Sequence, residues 1–198
     1  MPKTYFEYRG VSNAVYAEIT ADTAENFTTG AVKDLTGVSE IGKTTDSANE
    51  THYYDNLPAI VIDSAGSDEI TINTSGIPLD VLADITGQYY DQTTGMLVEQ
   101  ESTPKYFAFG YITDKTDGTK VLVWRLKGKF SIPGTTSATK DDGTAANGQE
   151  LTYTGISTVH KFTKTGKPAR AINIDTSVNQ TMTDATFFET VNTPDTIS

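Results

Sequence analysis

Two alternating runs joined by a tight turn constrain this chain more than any other feature. In residues 106–113 (YFAFGYIT), Phe107, Phe109 and Tyr111 fall on one side, and Ala108, Gly110 and Ile112 on the other. In residues 120–130 (KVLVWRLKGKF), Leu122, Trp124, Leu126 and Phe130 share a side, with Val121, Val123, Arg125, Lys127 and Lys129 opposite. A period of two is the signature of β-strands, whose successive side chains point to opposite faces. Asp117-Gly118 between the runs supplies the residues a hairpin turn requires. The pair therefore predicts a hairpin with one core face and a second, distinct face.

The remaining sequence extends this all-β reading. Residues 14–20, 31–41, 150–157 and 159–175 are further strand candidates, the last bent at Gly166-Lys167-Pro168. Residues 59–63 and 69–74 flank SAGS (64–67) and read as a second hairpin. Segments 42–56 and 131–149 are polar and read as long loops, which in compact domains tend to be functional or mobile. Abundant threonine favours strands, and Gly, Asn and Asp suit turns. From Thr176 the chain is polar except for Phe187-Phe188, and is expected to form an arm or a frayed tail beyond a domain spanning residues 1–175.

One stretch departs from this pattern. IPLDVLADITG (77–87) reads as a short helix, with Pro78 near its first position, Asp80 in its first turn and Gly87 as a left-handed terminator. Leu79, Leu82 and Ala83 form one apolar stripe, and Val81 and Ile85 a second. Two stripes on so short a helix leave little of it for water, so it packs deep in its own fold or against a second body.

The charge and the missing residue types narrow the function. The 198 residues carry a net charge of −11, which repels DNA phosphates and disfavours a DNA-gripping role. There is no cysteine, which excludes a disulfide framework and thiolate metal sites. His52 and His160 lack metal-ligand spacing, and no GxSxG elbow or glycine-rich phosphate loop occurs. The pairs Asp63/Asp68 and Asp141/Asp142, and the acidic loop 141–150, are better explained by turns than by glycosidase or calcium chemistry. No apolar run reaches the ~20 residues of a membrane span. MPKTYFEYRG lacks a signal-peptide core, so synthesis and retention in the cytoplasm are expected, unless the chain leaves inside a particle. No catalytic residue, cofactor or metal is expected. What remains is surface suited to self-association, since open sheet edges are a liability unless paired.

Three stretches, taken in order, carry a family resemblance: YYDN (53–56), IPLDVLADITG (77–87) and the run GMLVEQESTPKYFAFGYITDKTDGTKVLVWRLKGKFSIPG (95–134). In this order the chain resembles the major tail proteins that build the tail tube of long-tailed bacteriophages, over about residues 10–175. The resemblance implies a β-sandwich or partial barrel flanked by one helix, with a long loop and terminal arms. It implies self-assembly into stacked, hexameric rings in the host cytoplasm and residence in the virion. The implied partners are further copies of the chain, the tape-measure protein, and the tail terminator and distal tail proteins. DNA would pass through an acidic lumen without specific binding, and no membrane is involved. The helix would lie near the subunit boundary, and the 42–56 loop and terminal arms would reach neighbours. Interface candidates are Tyr53, Tyr54, Leu79, Val81, Leu82, Ile85, Arg125 and Lys127. A binding module of carbohydrate-binding or adhesin type is the alternative, with Tyr53-Tyr54 or Tyr89-Tyr90 as its aromatic platform.

Overall fold

The computed structural model describes residues 5–103, 105–136 and 147–197. Among them, the strands are β1 (Tyr8–Asp22), β2 (Phe27–Thr29), β3 (Lys33–Asp34), β4 (Val38–Tyr54), β5 (Leu57–Thr74), β6 (Tyr89–Asp91), β7 (Met96–Val98), β8 (Phe107–Lys115), β9 (Lys120–Phe130), β10 (Gln149–Gly155) and β11 (Ala171–Asp175). Two short helices, α1 (Leu79–Thr86) and α2 (Asp184–Phe188), complete the elements. The fold is all-β, as the alternation predicts.

Nine of these strands form one antiparallel sheet in the order β2-β1-β8-β9-β10-β5-β4, with β3 added to β1 and β11 to β9. β9 changes partner halfway, meeting β11 through Val121–Arg125 and β10 through Gly128–Phe130. The sheet curls until β1 and β4, far apart in strand order, come into contact. A partial barrel results, and β6 and β7 form a separate two-stranded sheet beside α1.

The predicted hairpin β8–β9 lies at its centre and is buried on both faces. Phe107, Phe109, Tyr111 and Val123 join Tyr16, Ile70, Ile72, Leu151 and Tyr153 in an inner cluster. Ala108, Ile112, Leu122, Trp124 and Leu126 join Val15 and Phe162 in an outer one. Phe130 departs from the predicted face, because the β8–β9 register shifts between Phe107 and Phe109. That bulge resets the alternation, so Phe130 packs in the inner cluster against Phe107, Phe109 and Tyr153.

Five expectations are corrected. The polar segment 42–56 is a strand, not a loop: β4 and β5 pair from Val38↔Thr74 to Tyr54↔Leu57. The turn is Asp55-Asn56, both at positive φ (52° and 63°), and SAGS lies inside β5. Residues 176–197 return to the body instead of forming an arm. α2 is capped by a reciprocal Thr183–Thr186 pair and buries Phe187 and Phe188 against Trp124, whose indole N–H donates to the Phe187 carbonyl at 3.2 Å. In 159–175 only β11 is a strand, and residues 31–41 divide between β3 and the start of β4.

The helix α1 ends at Gly87 as predicted (φ 72°), with Pro78 as N-cap rather than first helical residue. A Cβ at Gly87 would lie 2.5 Å from the Thr103 carbonyl oxygen, so geometry and space both require glycine. Leu82 and Ile85 point into the inner cluster, Val81 is half-buried against it, and Leu79 is 47% exposed. Most of the apolar excess is thus absorbed by the chain's own barrel. Ile85→Asp should therefore lower the unfolding free energy by about 4 kcal/mol or more. Leu79→Asp should change it by no more than about 0.5 kcal/mol, and urea titration of both variants checks the contrast.

Candidate functional site

Strand β10 pairs with β5 only from Asp68 to Thr74. Beyond that point the β4–β5 ribbon has no strand on either outer edge among the described residues. Nine residues of β4 continue past Thr45 to Tyr54, a reach of about 30 Å at ~3.3 Å per residue. Along it Tyr53, Tyr54, Leu57, Ile60 and Val61 are all exposed, from 49 to 68%. A bare two-stranded ribbon is marginal in water, and a run of exposed apolar residues marks a docking surface.

The ribbon is fixed at its root by charge. Asp68 is buried, accepts a hydrogen bond from Thr45 at 2.7 Å, and faces three cations: Arg170 (3.3 Å), Arg125 (3.4 Å) and Lys43 (3.8 Å). Arg125 also donates to the Tyr111 hydroxyl at 3.2 Å, and Arg170 to the Gly66 carbonyl at 2.7 Å. The cluster ties β4 and β5 to β9 and to the segment preceding β11. Lys127 lies apart from it. Its ammonium donates to Asp22 at 2.6 Å, and the same carboxylate accepts the backbone N–H groups of Val159 and His160. The bulge after Arg125 separates the two basic residues, which were expected to share one outer face.

The predicted interface residues therefore divide. Tyr53 and Tyr54 stand bare near the ribbon tip, and Leu79 is exposed on α1. Val81 is half-buried, while Leu82, Ile85, Arg125 and Lys127 are interior, the last two with carboxylates of their own chain as partners. Leu57, Ile60 and Val61 lie outside the predicted set because the Asp55-Asn56 turn that precedes them is not marked by flanking apolar alternation, and Asp68 because an aspartate next to SAGS reads as a turn residue. One signal pointed to Asp68: an arginine in a strand with little exposed surface needs a buried counter-charge.

Elsewhere, a cleft of about 620 Å³ is lined by Tyr16, Tyr89, Tyr90, Gln88 and Asp80. At its floor the Tyr16 hydroxyl donates to Asp84 at 2.9 Å. Burial, and then that carboxylate, push the phenol well above its ordinary range. Among the described residues no group of three or more His, Asp and Glu side chains gathers as a metal site, and no helix is long and apolar enough to cross a membrane. Part of the acidic loop 141–150, including Asp141 and Asp142, lies outside the described residues. No protein-family model matches the chain, and no curated protein matches it in sequence.

Two carboxylates give the fold a defined acid response. Asp175 is held down at about 2, chiefly by the hydrogen bond from buried Lys115 and then by those from Ser177. Burial raises Asp22, but the Lys127 ammonium and the two backbone N–H groups outweigh it and hold the carboxyl below its usual range. A folded-state pKa below the unfolded value means stability that is present above about pH 4 and lost as pH falls through the folded pKa. Unfolding free energy should therefore decline from about pH 4 to pH 2, and Asp175→Asn should flatten that decline in urea titrations across the range. Separately, Asp68→Ala leaves Arg125 buried without a counter-charge and should cost about 3–5 kcal/mol. Faster amide exchange across residues 46–66 should accompany that loss.

Proposed function

We propose that this chain is a structural subunit of a phage tail tube that self-assembles into stacked rings, hexameric in the related tails. The tube encloses the tape-measure protein and conducts DNA during ejection. The observation that carries the reading is the exposed apolar ribbon. It is anchored by buried charge, projects about 30 Å past the last supporting strand, and is useful only against another molecule. Its position agrees with the resemblance, which assigns this segment to contacts between subunits. The net charge of −11 suits a lumen that repels DNA and lets it slide. The partners are copies of the chain, the tape-measure protein, and the terminator and distal proteins that close the tube. The site of action is the virion, and no catalytic role is assigned.

Concentrating the purified chain at neutral pH, with salt varied, should give rings or tubes by negative-stain electron microscopy. Monomers alone at every salt concentration would count against the reading.

One observation favours a second reading. The cleft beside α1 combines Tyr89 and Tyr90 with glutamine and aspartate side chains, a lining that suits a sugar ring. In that case Tyr89→Ala with Tyr90→Ala should abolish glycan-array binding shown by the unaltered chain. Absence of array binding by the unaltered chain removes this reading.

A further inference from the structure

A second apolar surface lies beside the β11 edge. β11 pairs with β9 only, so its other edge is open among the described residues. Along it runs a groove of about 530 Å³, floored by Pro168, Ile172, Ile174, Pro194 and Ile197, with Lys164 and Lys167 at its margin. The Lys164 ammonium is turned onto the Ile197 carbonyl, and neither Lys161 nor Lys167 forms an ion pair among the described residues.

The charges of groove and ribbon are opposite. Residues 161–170 hold Lys161, Lys164, Lys167 and Arg170, the last already paired with Asp68 of its own chain. The Asp195 carboxylate beside them accepts the Thr163 and Lys164 backbone N–H groups, which leaves the margin positive in a chain whose net charge is −11. Residues 46–63 of the ribbon hold Asp46, Glu50, Asp55 and Asp63 and no lysine or arginine. Both surfaces are apolar at their centres, and in this chain the ribbon tip stands bare instead of covering the groove.

We propose that the groove along β11 receives the β4–β5 ribbon of a second copy of this chain. Apolar ribbon side chains such as Leu57 and Tyr54 cover the isoleucine and proline floor, and the ribbon's carboxylates face the lysines. The open β11 edge offers backbone hydrogen bonds to the incoming strand. Donor and acceptor patches differ, so two arrangements satisfy them: reciprocal exchange between two copies, which closes a two-fold dimer, and a head-to-tail contact, which does not. A copy that gives its ribbon to one neighbour and takes the ribbon of another propagates the association into a ring or a stack, the arrangement that the tube reading requires. The inference rests on the reading that this chain self-associates, and adds where the ribbon lands.

The absence of cysteine makes the test direct. Leu57→Cys and Asn173→Cys place single thiols on the ribbon and on β11, at exposed positions. The two chains are mixed under assembly conditions and mildly oxidised. The expected result is disulfide-linked heterodimers at least ten-fold above a mixture of Leu57→Cys with Thr94→Cys, a thiol on the β6–β7 turn. Assemblies without that excess would overturn the docking site and leave self-association standing. If neither assemblies nor cross-links form, the docking site and the tube reading both fall.

Discussion

Burial of the β8–β9 hairpin on both faces is the constraint from which the rest of the structure follows. An antiparallel hairpin ordinarily keeps one face in water, but here each face carries apolar side chains that need a cover. On the inner side the cover comes from the curl of the sheet and from α1. On the outer side it comes from the C-terminal segment, which returns to lay Phe187 and Phe188 on Trp124. Gly110 makes that approach possible, since a Cβ there would lie 2.8–2.9 Å from Phe188, Trp124 and Val15. A strand flanked by these aromatic rings has no room for another side chain, and this explains a glycine in the middle of an otherwise bulky run.

The charged residues of β9 serve the same architecture. Arg125 and Lys127 sit in a strand with almost no exposed surface, and each meets an aspartate from a distant part of the chain. Asp22 fastens the end of β1 to the segment before β11. Asp68 fastens the root of the ribbon. These pairs are positional devices more than sources of net stability, because desolvation offsets much of the attraction. Their effect is to hold a long, sparsely supported ribbon at a fixed place on the barrel while its tip stays exposed.

Legibility in the sequence tracked burial. Where a strand has a distinct inner and outer side, as in β8 and most of β9, alternation assigned each residue to its cluster. It failed at Phe130, because a bulge leaves no mark in residue type. The ribbon was illegible for a different reason. Both of its faces are solvated, so residues 42–56 show no apolar period and resemble a loop. The remaining signals were β-branched residues such as Thr44, Thr45 and Thr51, and the Asp-Asn pair that forms the turn. The tail misled in the opposite direction. Phe187-Phe188 was a visible apolar pair in a polar stretch, and its partner, Trp124, lies 63 residues away along the chain. Of the predicted interface, the exposed members Tyr53, Tyr54 and Leu79 remain available to a neighbour. Leu82, Ile85, Arg125 and Lys127 were apolar or basic for the benefit of their own fold.

On the proposed function, the projecting ribbon serves contact with another copy and adds nothing to the fold that carries it. Sedimentation velocity on a chain in which residues 47–65 are replaced by a short Asn-Gly turn tests this most directly. The expected result is a monomer at all concentrations, with an unfolding midpoint close to that of the full chain, while the full chain associates under the same conditions. Association of the shortened chain at undiminished strength, or collapse of its fold, would overturn that role for the ribbon.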